Sequence, residues 1–179
     1  VNAEPLQVEL LAPAVQTPAI PIRVVDEVLR YELEIIVYGE PAPQGSKSFK
    51  GTFTGKDGRQ HAMLAESSKK VKPWRQDVVA AAVKAVNGAP PLDGNLVLRM
   101  VFTLPKPVSA PKRKRTWPNK KPDVSKLCRS TEDALKTAGA ITDDSRIVGY
   151  DRLWKCYPNE DPEALSSSGV RIAIRRLEA

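Results

Sequence analysis

Residues 121–148 read KPDVSKLCRSTEDALKTAGAITDDSRIV. Apolar and small residues recur here at helical spacing, which predicts a helix from Asp123 to Ala138, closed by Gly139. Val124, Leu127, Thr131, Ala134, Leu135 and Ala138 share its buried face. At about 100° per residue, Ser125, Arg129, Glu132 and Lys136 gather within roughly 60° on the opposite side. Asp123 stands at the helix start, directly after Pro122. Asp143 and Asp144 follow the helix in a turn that leads to the next strand.

Working outward, YELEIIVY (31–38) alternates Leu33, Ile35 and Val37 with Glu32, Glu34 and Ile36, the pattern of a half-buried strand. Gly39–Lys47 is a loop punctuated by Pro41 and Pro43. Two short strands, 49–54 and 59–64, flank the turn Gly55-Lys-Asp-Gly58. Pro73 suits the first turn of a helix, because its missing N–H costs nothing there. Trp74, Val78, Ala81, Ala82, Ala85 and Val86 continue that helix until Asn87-Gly88 stops it. NLVLRMVFTL (95–104) alternates Leu96, Leu98, Met100 and Phe102, and predicts another strand. Strands are expected at 146–157 and 169–177, with a mobile loop at 158–168 between them. The order β-ββ-α-β-α-β-β defines a single α+β domain with a mixed β-sheet and two main helices. Residues 1–28, with four prolines, are expected to form a disordered leader or a loosely docked arm, and 29–179 the folded domain.

The chain has 179 residues, ordinary for one domain with a real core. No run of 18 apolar residues marks a membrane span, and the first residues lack the basic and apolar regions of a secretory signal. Cys128 and Cys156 make neither a disulfide framework nor a zinc site, so a reducing compartment is expected. With His61 the sole histidine, Ser-His-Asp, Cys-His and multi-histidine chemistry are disfavoured. Any enzyme here draws its acids and bases from carboxylates, lysines or water on a metal.

The net charge is +7, unevenly spread. Residues 1–28 set Glu4, Glu9, Asp26 and Glu27 against Arg23 alone. By contrast, Lys112, Arg113, Lys114, Arg115, Lys120 and Lys121 place six cations within ten residues, in the long proline-rich segment 105–122. Such density repels itself and favours a polyanion, since each neutralised phosphate releases condensed counterions. Nucleic acid is the expected partner, with an ordinary solvated basic loop as the alternative.

Carboxylates beside a basic surface suit Mg²⁺, which takes hard oxygen ligands and polarises a phosphodiester. Asp123, Asp144 and Glu132 are expected to converge near this helix, with Asp143 turned away from Asp144 if the backbone there is extended. Arg129 is the cation placed to hold a phosphate. The same residues also admit a structural reading. Asp123 is then a helix cap, Asp143 and Asp144 turn residues, and Glu132–Lys136 a surface ion pair.

Lys121-Pro-Asp-Val-Ser-Lys-Leu-Cys-Arg, then Asp133-Ala-Leu135, Gly139 and Asp143-Asp-Ser-Arg-Ile-Val148, resembles the signature of the RusA-type Holliday junction resolvases. The proline loop at 39–47 and the helix around Trp74–Val86 resemble weaker family features, so the resemblance spans about residues 31–177. It implies a Mg²⁺-dependent (or Mn²⁺-dependent) endodeoxyribonuclease, encoded by phage or prophage. Such an enzyme acts on four-way or other branched DNA in the cytoplasm of a bacterial host. It also implies a homodimer, whose two-fold symmetry fits matched nicks in two strands.

By position, Asp123 matches the first carboxylate of the motif, Asp144 the aspartate after the helix, Asp143 its neighbour and Arg129 a catalytic cation. Ser125 departs from the family, replacing the second aspartate of Asp-x-Asp. Glu132 lies seven positions on, on the same face, and is a candidate relocated ligand, although two turns put it about 10.5 Å further along the axis. Lys47, Lys50, Arg113, Lys114, Arg115, Lys120 and Lys121 are expected to grip DNA, mostly through phosphates. Trp117 is either a stacking surface for an unpaired base or a ring pinned among prolines. Two rivals accompany this reading: a branched-DNA or flap nuclease of the same family, and a DNA-binding homologue weakened by Ser125.

Overall fold

The computed structural model describes residues 30–45, 48–65 and 69–177. The expected leader at 1–28, and Lys47, lie outside the described residues. The elements are β1 (Leu33–Tyr38), β2 (Ser48–Thr54), β3 (Gln60–Ala65), α1 (Val71–Val86), β4 (Leu96–Thr103), α2 (Val124–Thr137), β5 (Ile147–Cys156) and β6 (Gly169–Arg176). A 3₁₀ turn, Asp144–Arg146, leads into β5. The fold is α+β, as expected.

Four strands form one sheet in the order β1-β6-β4-β5. β4 and β5 run parallel, while β6 is antiparallel to both β4 and β1. A parallel pair needs a crossover, and α2 lies within it. Register aligns apolar side chains in rows across the sheet. Ile35 pairs with Ile172 and Ile172 with Met100; Val37 pairs with Val170 and Val170 with Phe102. These rows share one core with Trp74, Val78 and Ala82 of α1 and Leu127, Ala134 and Leu135 of α2. Burying such side chains contributes about 1.5–3 kcal/mol each and fixes how the helices sit on the sheet.

The period-two pattern of β1 holds: Ile35 and Val37 are buried while Ile36 is exposed. β2 and β3 form a separate hairpin closed at Gly55–Gly58, where Gly58 takes φ +73°. His61, on β3, stacks on Phe53 and lies 3.2 Å from Asp57, an exposed hairpin contact. Between the helices, the buried Trp74 indole donates to Thr131 Oγ1 at 3.3 Å. Thr131 in turn donates to the Leu127 carbonyl, so no polar atom of the pair is stranded.

Segment 158–168 is not the loose loop the sequence suggested. Asp161 and Leu165 are buried. Arg99 and Arg152 both pair with Glu163, and Arg152 also pairs with Asp161 at 2.7 Å. The Leu165 amide donates to Thr103 Oγ1 at 2.9 Å. Its acidic residues pair with arginines that β4 and β5 present, and this anchors the segment.

Candidate active site and nucleic-acid interface

α2 carries the candidate residues at its two ends. At the start, Asp123 holds the N-cap position with extended backbone, yet its side chain makes no capping hydrogen bond. It pairs instead with Lys126 at 3.3 Å. It lines a cleft of about 340 Å³ between the loop 39–45, Lys70 and the segment Lys121–Lys126. The loop is docked onto α2: the Gln44 amide donates to the Lys126 carbonyl at 3.0 Å, and Ser130 Oγ to the Ala42 carbonyl at 2.7 Å. Gly39 opens this loop at φ +148°, where an added Cβ would sit 2.6 Å from Asp77 Oδ2, so only glycine fits. Glu40 brings a second carboxylate to the cleft and pairs with Lys70 at 2.6 Å. Sequence reasoning missed Glu40 and Lys70. The proline loop was the available signal, but nothing in its spacing said which helix it docks on.

At the far end, Lys136 binds both Asp143 and Asp144, the latter at 3.4 Å. Asp143 also accepts the Ser145 amide at 2.9 Å. The Lys136 ammonium, helped by Ser145, holds the Asp143 carboxyl well below the usual carboxylate range. Asp143 therefore does not turn away from Asp144: the 3₁₀ turn that starts at Asp144 breaks the strand alternation, and both reach one lysine.

The expected convergence within one chain does not occur. From Val124 to Lys136 the chain is helical throughout, and with Asp123 as its N-cap about 13 steps of 1.5 Å separate the two ends by about 20 Å. Among the described residues, no three His, Cys, Asp or Glu side chains group so as to hold a metal ion. Within one chain, the described residues therefore do not come together as a site for the divalent ion that the resemblance implies.

Glu132 is occupied elsewhere as well. It accepts hydrogen bonds from the Tyr150 hydroxyl on β5 and from the Cys128 thiol, the latter at 3.1 Å. Burial pushes the Cys128 thiol up to about 12. Burial, reinforced by Cys128 and Glu132, also raises Tyr150. Glu132 thus ties α2 to the edge strand of the sheet and joins neither aspartate site. Arg129 is exposed, one turn from the exposed Ser125, and has no ion-pair partner among the described residues.

The cationic segment packs beside the Asp123 end. Lys112, Arg113, Lys114, Lys120 and Lys121 are exposed, and Lys121 also lines the Asp123 cleft. Lys50 is exposed at the irregularity in β2. Arg115 differs from its neighbours: its guanidinium lies 4.2 Å over the Trp117 ring and 3.6 Å from Asp161. Trp117 in turn meets Trp154 edge to face at 5.6 Å. The segment is anchored, since Lys106 pairs with Glu160 and the Thr116 amide donates to the same carboxylate.

Carboxylate–lysine clusters thus stand at both ends of one helix in an α+β domain, the one at its start next to a cationic segment. Residues 39–166 match the family model for endodeoxyribonuclease RusA, most of the described structure. The chain belongs to this endodeoxyribonuclease family. No curated protein matches the chain. No helix among the described residues is long and apolar enough to cross a membrane.

Proposed function

We propose that this protein is a structure-specific endodeoxyribonuclease that resolves Holliday junctions by paired phosphodiester hydrolysis, acting as a homodimer with Mg²⁺ or Mn²⁺ in the bacterial cytoplasm. The observation that carries the reading is the cleft at the start of α2. There Asp123 and Glu40 stand among Lys70, Lys121 and Lys126, next to the cationic segment. The lysines attract a phosphodiester and hold it beside the carboxylates.

Separation of Asp123 from Asp143 and Asp144 is itself an argument for the dimer. In a two-fold pair, helices crossing antiparallel place the start of one beside the end of the other, and do so twice. A homodimer arranged about α2 would give each Asp123 the partner's Asp144, forming two acidic sites for two nicks. The divalent ion is assigned to that shared site.

The test compares a synthetic four-way junction, a flap and a linear duplex with and without Mg²⁺, using Asp144→Asn as control. Preferential, symmetrical nicking of the junction supports the proposal; equal flap cleavage makes the protein a less selective branched-DNA nuclease. A second reading, a DNA-binding homologue without cleavage, draws on Ser125 and on the absence of a three-carboxylate group among the described residues. Junction binding with no cleavage in Mg²⁺ or Mn²⁺ would establish it. The shared site has its own test: Asp123→Asn and Asp144→Asn proteins, each inactive alone, regain one-strand nicking when mixed. If mixing restores nothing, each site lies within one chain.

A further inference from the structure

We infer that the groove bordered by Trp117, Trp154 and Leu153 is a slot for a single unstacked nucleobase. This deepens the proposed function, and rests on it, by naming the part of branched DNA that the protein reads. Trp117 comes from the cationic segment and Trp154 from the edge strand β5. Their rings meet at 5.6 Å with planes 84° apart. They remain 48% and 41% exposed. Two large aromatic rings side by side on a charged surface form an exposed aromatic patch, the kind of surface that marks an interaction site.

The groove they border has a volume of about 330 Å³, at the small end of ligand sites. Its other walls are Pro118, Leu153 and Val124, with Asn119 and Lys155 at the edges. The walls are mostly apolar; the two arginines against the rings are paired with Asp161 and Glu163, and the exposed cations nearby are Lys120 and Lys121. Arg115 lies 4.2 Å over Trp117, Arg152 lies 5.4 Å from the Trp154 ring, and Lys120 and Lys121 follow directly in the chain.

Flat apolar walls with exposed lysines beside them match a ring attached to phosphates, the combination with which proteins hold single-stranded bases. A base in a duplex has both faces stacked and cannot enter. Val124 is the residue after Asp123, so a base in the groove places its flanking phosphates toward the candidate cleft. The slot therefore selects DNA with an unpaired or splayed base, such as a junction crossover.

The experiment uses the full chain in EDTA, so that binding is read without cleavage. Tryptophan emission is titrated with a 12-mer of oligothymidylate, and affinity is measured for a junction and for a fully paired duplex of equal length. Partial quenching by oligothymidylate is expected, with the buried Trp74 as the unquenched remainder. Trp117→Ala and Trp154→Ala should each weaken junction and oligothymidylate binding about tenfold, as the loss of one stacked base does, and duplex binding less than twofold. Trp154→Phe should keep most of the affinity, which separates lost stacking from lost folding.

Unchanged junction affinity in both alanine variants overturns the slot, as does equal loss on duplex and junction. Quenching that persists in a protein unable to cleave any DNA removes the enzymatic reading and leaves the slot. Junction cleavage without quenching does the reverse.

Discussion

Lys155 reaches from β5 and donates to the carbonyl of Pro122 at 2.9 Å. The same ammonium donates to the Lys120 carbonyl at 2.8 Å, so it grips the backbone on both sides of Lys121. The residue after Pro122 is Asp123, the N-cap of α2. One side chain of the sheet thus sets where the cationic segment ends and the candidate site begins.

Lys155→Met is expected to remove both charge-assisted bonds and cost about 1–2 kcal/mol, lowering Tm by roughly 3–6 °C. Amide exchange should rise in residues 118–124, and cleavage should fall about tenfold through misplacement of Asp123. Lys155→Arg should recover part of both. Wild-type exchange and cleavage in the methionine variant would show that the strap is dispensable.

Glu132 holds α2 to β5 through Tyr150 and Cys128. Glu132→Gln should therefore keep metal-dependent cleavage within about threefold while lowering stability by roughly 1 kcal/mol. Tyr150→Phe should lower stability by a similar amount. Denaturant unfolding and cleavage assays check both. A collapse of cleavage in a folded Glu132→Gln protein would return Glu132 to the catalytic set.

Asp151 sits at a register irregularity between β4 and β5, accepts two bonds from Arg175, each 2.8 Å, and accepts the Tyr31 hydroxyl. The Arg175 guanidinium holds its carboxyl below the usual carboxylate range. A depressed folded value means that the stabilisation is complete above the ordinary carboxylate pKa of about 4 and is lost as pH falls through the lower folded value. Asp151→Asn should therefore be less stable than wild type by about 2 kcal/mol at pH 7. The gap should close as pH drops below about 4, followed by urea unfolding across the range. A gap that stays constant down to pH 2 would contradict the assignment.

Both cysteines are buried, and burial raises both thiols, Cys128 to about 12. Against an ordinary thiol, that leaves roughly a thousandfold less thiolate on Cys128 at pH 8. Iodoacetamide should modify Cys128 in the native protein at least a hundredfold more slowly than in urea, measured by mass spectrometry. Rapid native labelling would mean that the Cys128–Glu132–Tyr150 contact opens readily.

The order of elements, the strand phases, the buried face of α2 and the family were legible in the sequence, because periodicity and local motifs encode them. The 3.6-residue spacing of Leu127, Thr131, Ala134 and Leu135 allows one buried face, and the alternation in β1 allows one inward set, whereas β4 is buried on both faces. What lay beyond sequence was every relation that depends on how far apart rigid elements hold their ends. Asp123 and Asp144 share one motif, yet a continuous helix holds them apart, because helical rise, not motif membership, sets distance. Glu40 reached the cleft, Glu132 turned to Tyr150, and segment 158–168 was pinned by Arg99 and Arg152 because packing across the sheet chose partners far apart in the chain. Local pattern encodes only which side of an element faces the core; which polar groups then meet is settled by the sheet register and by the charges left to be paired.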